Sequence, residues 1–488
     1  MAKDEQAVMM KIPQTRQTQT EPVPRLVHLP VEILFNIISV LRDMSYRESE
    51  AVAARTARLI PHVDSEKQKI EWSYAPPPEP ILSSFQSFAV VNRQIHALSV
   101  PVLWERLEFP SRLPIPMTHF TENILPKHGA NVKTATILLS SDWFKMDLIH
   151  SMNPCRYDNL CIIKHGREGV HTQPQPELPQ DWSDHLQGLS PASVVGTLIH
   201  CPQLHKLVAY LPGPDEEEPK EEEPEPDLHK MNALATNLSK VLSTLGNLRV
   251  LELHNLRIGL PRIIFTSCIT NAIRNLLLLE SFSCSCISLG SEEEPKAFAE
   301  ALSKLQHLTN LELTVVGALD PRWTSWPSPP KLVHLSIYGC RNLKSSEAPR
   351  TISAYAPNLT YLYLQLENHE GIETNPVNLD GSGARDDVFY LPRLIELELV
   401  GSARCMVNDC FLDCKGLRKL TYNLPENEDS ILIEEFVEFI CTSPFPRLTF
   451  LNMWRPASLG PLDLEKPLVT LRNYCEKHAI KLSVLELV

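Results

Sequence analysis

Cys405, Cys410 and Cys414, with Asp409 and Asp413 between them, form the densest group of metal-competent side chains in the chain. A structural zinc site takes two close Cys-x(2–4)-Cys pairs to close its tetrahedron, and only one loose set stands here. The same cysteines suit small core slots beside strand turns, as Cys284 does, and that reading is preferred. Cys155/Cys161 and Cys284/Cys286 supply no second set. The seventeen histidines are scattered, and the chain has no Gly-rich phosphate loop, no H-E-x-x-H and no G-x-S-x-G. A reactive thiol wants a basic or His neighbourhood, and nothing in sequence singles one cysteine out. The expectation is therefore a protein with no catalytic residue, no metal and no cofactor. What remains is the chemistry of a surface. Tyr338, Tyr361 and Tyr363, then Phe450 and Trp454, alternate with leucines and other apolar residues, so they turn outward where their neighbours turn in. Aromatics exposed together have the composition of a binding hot spot, unless loops cover them.

The elements that must position these rings recur. A Leu-x-x-Leu-x-Leu spacing, with apolar substitutes, appears at Leu248/Leu251/Leu253, Leu279/Phe282/Cys284, Leu308/Leu311/Leu313 and Leu332/Leu335/Ile337. It continues at Leu359/Leu362/Leu364, Leu394/Leu397/Leu399, Leu417/Leu420/Tyr422, Leu448/Leu451/Met453 and Leu482/Leu485/Leu487. Leu204/Leu207/Ala209 is an earlier member, Val132/Ala135/Ile137 a further candidate, and Trp104/Leu107/Phe109 fits more loosely. The last two residues of each set are the inward positions of a strand, and the first closes the turn before it. One such unit cannot bury its own apolar face, so neighbours must stack. Proline stands two positions before the leading leucine at Pro202, Pro330, Pro357, Pro392 and Pro446, where a preceding helix has to stop. That usage explains part of an unusual ratio of 41 prolines to 17 glycines.

The chain has 488 residues and a net charge of −13. The segment 212–227 holds nine acidic residues and one lysine, a local −8 that can only be solvated, so the rest is mildly acidic. Nucleic acid and anionic membranes are disfavoured as partners. No run approaches a membrane span, and Met1–Met10 lacks the apolar core of a signal peptide. The twelve cysteines are then thiols of the cytoplasm or nucleus. Residues 1–24 read as a disordered leader. Leu29, Ile33, Leu34, Ile37, Ile38 and Leu41 share one face of a helix that Pro30 opens, and a proline-rich insertion, 42–80, follows.

The run Leu29-Pro30-Val31-Glu32-Ile33-Leu34-Phe35-Asn36-Ile37-Ile38-Ser39-Val40-Leu41 resembles the first helix of an F-box. Val90-Val91-Asn92-Arg93, then Leu103-Trp104, resembles its second half. With the leucine pattern behind it, the chain is similar to F-box/leucine-rich-repeat proteins, fungal members included. Two departures stand out: the insertion, and Ile95 where many members have tryptophan. The resemblance implies an α/β fold, a small three-helix F-box followed by a curved leucine-rich-repeat solenoid of irregular repeat length. It implies an F-box over 25–110, a connecting region over 111–200 with degenerate first repeats, and a solenoid over 201–488. It implies a substrate receptor of a cullin–RING ubiquitin ligase whose F-box docks on a Skp-type adaptor through Leu29, Pro30, Ile33, Leu34, Ile37, Leu41, Val90, Val91, Leu103 and Trp104. For Val90, Val91 and Leu103 a place in the core of the small module is an equal reading, whereas Leu29, Pro30 and Ile33, at the extreme start of the fold, favour partner contact. A protein substrate would meet Tyr338, Tyr361, Tyr363, Phe450 and Trp454. A repeat scaffold without ubiquitination is the alternative.

Overall fold

The computed structural model describes residues 29–56, 59–64, 69–74, 84–108, 119–138, 191–211, 228–255, 269–285, 293–314, 321–338, 343, 347–365, 388–400, 411, 413–423, 430–442, 444–456 and 461–487. The leader, the acidic segment 212–227 and most of the connecting region lie outside them. The chain divides into two units, one comprising residues 1–52 and 79–103, the other 53–78 and 104–488.

The first unit is helical: α1 (Val31–Thr56), which extends beyond it, α2 (Ser84–Ala89) and α3 (Arg93–Leu103). The carbonyl of Pro30 accepts the N–H groups of Ile33 and Leu34 and so starts α1. The apolar spacing predicts a helix that gives way to an insertion at Arg42. Instead α1 runs unbroken to Thr56, because Arg42–Thr56 contains neither proline nor glycine. Within the former insertion, β1 (Leu59–Asp64) and β2 (Lys69–Tyr74) pair antiparallel. Asn92 caps α3, its Oδ1 accepting the Ile95 N–H at 2.8 Å. Leu34, Ile38, Phe85, Ala89 and Ile95 are the buried apolar residues among those described in this unit. Ile95 is 1% exposed, so it fills its place without an indole.

The second unit is mixed α/β. Among the described residues it holds the β1–β2 pair and twelve further strands, which form one open sheet in chain order. They are β3 (Arg106–Glu108), β4 (Thr134–Leu138), β5 (Lys206–Leu211), β6 (Val250–Asn255), β7 (Ser281–Ser285) and β8 (Asn310–Thr314). Then come β9 (His334–Tyr338), β10 (Tyr361–Gln365), β11 (Glu396–Val400), β12 (Lys419–Asn423), β13 (Phe450–Pro456) and β14 (Lys481–Leu487). All neighbours are parallel. The sheet therefore begins at Arg106, well before residue 201 and inside the stretch the sequence assigns to the N-terminal module. From β5 to β13 each step is built alike. The leading leucine donates its N–H three residues back, as Leu308 does to Leu305 and Leu394 to Leu391, and is buried. One carbonyl just before each strand then accepts two N–H groups of the next, as Val333 does from Thr360 and Tyr361. On β14 the register pairs Leu482 and Val484 with Leu451 and Met453, so Leu482 is a strand residue and not the leucine of the turn. Leu485 pairs with Trp454 instead of taking an inward position. Helices such as Glu293–Ser303 and Ser430–Cys441 occupy the connections. One continuous apolar core runs from Leu107 to Ile480.

Candidate interaction surfaces

Buried thiols dispose of one chemistry first. Cys201 donates to the Thr197 carbonyl at 3.4 Å and Cys414 to that of Phe389 at 3.7 Å. Burial pushes both thiols up to about 12, so they stay protonated and poorly nucleophilic. Cys405 and Cys410 lie outside the described residues. Among those described, no three His, Cys, Asp or Glu side chains converge as a metal site would require. Among them, too, no helix is long and apolar enough to cross a membrane.

The helical unit presents an apolar surface. Val31, Ile33, Phe35, Val40 and Met44 are exposed on α1, as are Val90 and Val91 at 71% and 60%. Ile33, Ile37, Val40 and Met44 step by four, three and four, which puts them in one stripe beside the buried Leu34 and Ile38. Of the residues assigned to adaptor contact, Pro30, Ile33, Val90 and Val91 are exposed and Leu29, Ile37, Leu41 and Leu103 half-buried. Two are placed otherwise. Leu34 is 0% exposed and is core of the helical unit. Trp104 belongs to the sheet unit, where its ring stacks on His128 at 4.8 Å and tilts against Phe120 at 6.1 Å. An indole engaged on both neighbours is packing, not a free anchor. Met44 lies beyond Leu41, in the stretch the sequence reads as an insertion, and Val40 is outside the apolar face read from Leu29 to Leu41. The 4-3-4 spacing was already in the sequence.

The sheet unit presents the second surface, the face opposite its buried leucines. On β10 the order is half-buried, buried, half-buried, buried, half-buried, so Leu362 and Leu364 face the core and Tyr361 and Tyr363 the other side. The rings are partly shielded by each other and by their neighbours. His334 stacks on Tyr361 at 4.0 Å, and Tyr338 on Tyr363 with centroids 6.5 Å apart. The Tyr361 hydroxyl donates to Glu398 Oε2 at 3.3 Å, and that of Tyr363 to Gln365 Oε1 at 3.3 Å. Burial, then the Glu398 carboxylate, pushes the Tyr363 phenol up to about 12 and drives Tyr361 up as well. Burial also holds His334 below the ordinary imidazole range, against the opposing pull of Glu312 and Glu396.

Phe450 and Trp454 are half-buried on β13, and the Lys481 ammonium lies 5.5 Å from the Phe450 ring centroid. They do not join the tyrosines. Tyr361, Glu396, Lys419 and Phe450 share a row, so three strand spacings, roughly 14 Å, separate the two aromatic groups. The Lys419–Glu396 ion pair stands between them. No family model matches the chain, and no curated protein matches it.

Proposed function

We propose that the chain is a non-catalytic receptor that bridges two proteins. Its helical unit docks as an F-box on a Skp-type adaptor of a cullin–RING ubiquitin ligase. Its sheet unit, read as a leucine-rich-repeat solenoid, holds a protein substrate. The observation that carries this is the Ile33/Ile37/Val40/Met44 stripe on α1, together with the exposure of Val90 and Val91 before α3, on so small a unit. An outward apolar stripe costs free energy in water and gains it back when a partner covers it. The resemblance of Leu29–Leu41 and Val90–Arg93 to an F-box names the partner. The two-unit construction supports the bridging role.

Co-purification of the full chain with a Skp-type adaptor and a cullin is the test. Recovery of both, lost in the variant Ile33→Asp/Val40→Asp, is the expected result. A folded chain that captures neither overturns the F-box assignment. Adaptor without cullin would leave a scaffold with no ubiquitination.

A further inference from the structure

The sheet face also indicates the chemistry of what it holds, an inference that rests on reading that face as the substrate surface. Glu312, Ser336, Tyr363 and Glu398 share one row across β8 to β11. Along β9, Ser336 stands between His334 and Tyr338. A small side chain is thus ringed by larger ones, two of them aromatic on the same strand and one, Tyr363, on the next.

The charges around it are lopsided. The outward positions of β8 to β11 carry Glu312, Glu396 and Glu398 and neither lysine nor arginine. Glu396 is paired with Lys419 of β12. Among the described residues Glu398 accepts only the Tyr361 hydroxyl, and the exposed Glu312 has no ion pair. The rings of Tyr361 and Tyr363 likewise have no cation over them among those residues. Farther along the same face, Phe450 does have one, Lys481, supplied by the chain itself. An aromatic face attracts a cation through its quadrupole, and the attraction grows where water is partly excluded. Carboxylates at the rim add a longer-range pull on the same sign of charge.

We propose that this band seats the lysine or arginine side chains of a basic segment of the partner protein, one cation lying over Ser336 between Glu312 and Tyr363. An acidic or phosphorylated segment is repelled by Glu312 and Glu398, so the face selects by charge as well as by shape.

The test uses the full chain and two fluorescent peptides in which four arginines, or four glutamates, alternate with Gly-Ser. The expected result is saturable binding of the arginine peptide only. Glu312→Lys should weaken it about tenfold or more. Ser336→Leu, which fills the seat without altering charge, should do the same. Glu434→Lys, an equal charge change on the exposed side of the helix Ser430–Cys441, should leave it nearly unchanged. Equal losses in Glu312→Lys and Glu434→Lys would reduce the effect to net charge and overturn the proposal. So would unchanged binding in Ser336→Leu, or no saturable binding at all. Thermal melting of each variant separates lost folding from lost binding. Adaptor capture read on the same samples separates the two claims: peptide binding lost with capture kept sinks only this inference, and the reverse sinks only the receptor reading.

Discussion

The two units treat apolar side chains in opposite ways. In the sheet unit the strand leucines from Leu207 to Leu451 are almost fully withdrawn from water, and the opposite face is polar and aromatic. Among the described residues of the helical unit five apolar ones are buried, while seven large ones stand exposed on α1 and the turn before α3. The difference teaches where each unit's cohesion comes from. Stacked strands complete one another's core, so their outward face is free to carry charge and hydrogen bonds. A small helical unit has too little interior, and its surplus apolar surface is better completed by another protein.

The largest effect should come from Leu362→Ala. This leucine is 0% exposed at the middle of the sheet, and a cavity there costs about 2–5 kcal/mol. Urea unfolding measures it. A loss below about 1 kcal/mol would mean that the core tolerates gaps and that the contrast between units is overstated.

Ile33→Asp with Val40→Asp is the mirror case. Both residues are exposed, so stability should hold within about 1 kcal/mol while adaptor affinity falls about a hundredfold or more. If the pair destabilises the chain as Leu362→Ala does, the α1 stripe is internal core and the comparison fails.

Most of the sheet was legible in the sequence, and little of the helical unit's surface was. Leucine spacing fixes inward and outward positions because strand periodicity leaves only two faces. It therefore placed Tyr361 and Tyr363 correctly opposite Leu362 and Leu364. It could not give lateral neighbours. That His334 stacks on Tyr361, and that Lys419–Glu396 divides the tyrosines from Phe450, depends on register across strands more than twenty residues apart. On a helix a residue's face is a continuous angle. Leu34 and Ile33 are sequence neighbours with similar hydrophobicity, yet one is buried and the other outward. Trp104 misled for a related reason. It stands one residue beyond α3, and a motif cannot tell which unit claims a side chain at a junction.

Tyr361→Ala with Tyr363→Ala falls between the first two cases. The rings are half-buried against His334, Tyr338 and Glu398, so their removal should cost the fold about 1 kcal/mol, clearly less than Leu362→Ala. Partner capture should fall by about 2 kcal/mol, about thirtyfold, with adaptor capture intact. A pull-down of both partners with the double variant checks it. Retention of every partner would move the recognition surface off this face.

The smallest expected effect is the most specific to the arrangement of that face. His334 lies flat on Tyr361, with Glu312 of β8 and Glu396 of β11 the nearby carboxylates. Burial disfavours its protonated form, and the carboxylates only partly oppose that. Its folded pKa is therefore below the unfolded value of 6.5, and between the two the unfolded chain binds more protons. The resulting stability is present above the unfolded pKa and is lost as pH falls through the folded one. The imidazole is half-buried and still reaches solvent, so screening keeps the effect small, within about 0.5 kcal/mol. Unfolding free energies of the parent and of His334→Asn at pH 7.5 and 5.5 isolate it, since other titrating groups are common to both. The parent should lose slightly more stability on acidification. If it loses less, Glu312 and Glu396 outweigh burial, the imidazole is held as a cation, and the seat beside Ser336 already has its positive charge.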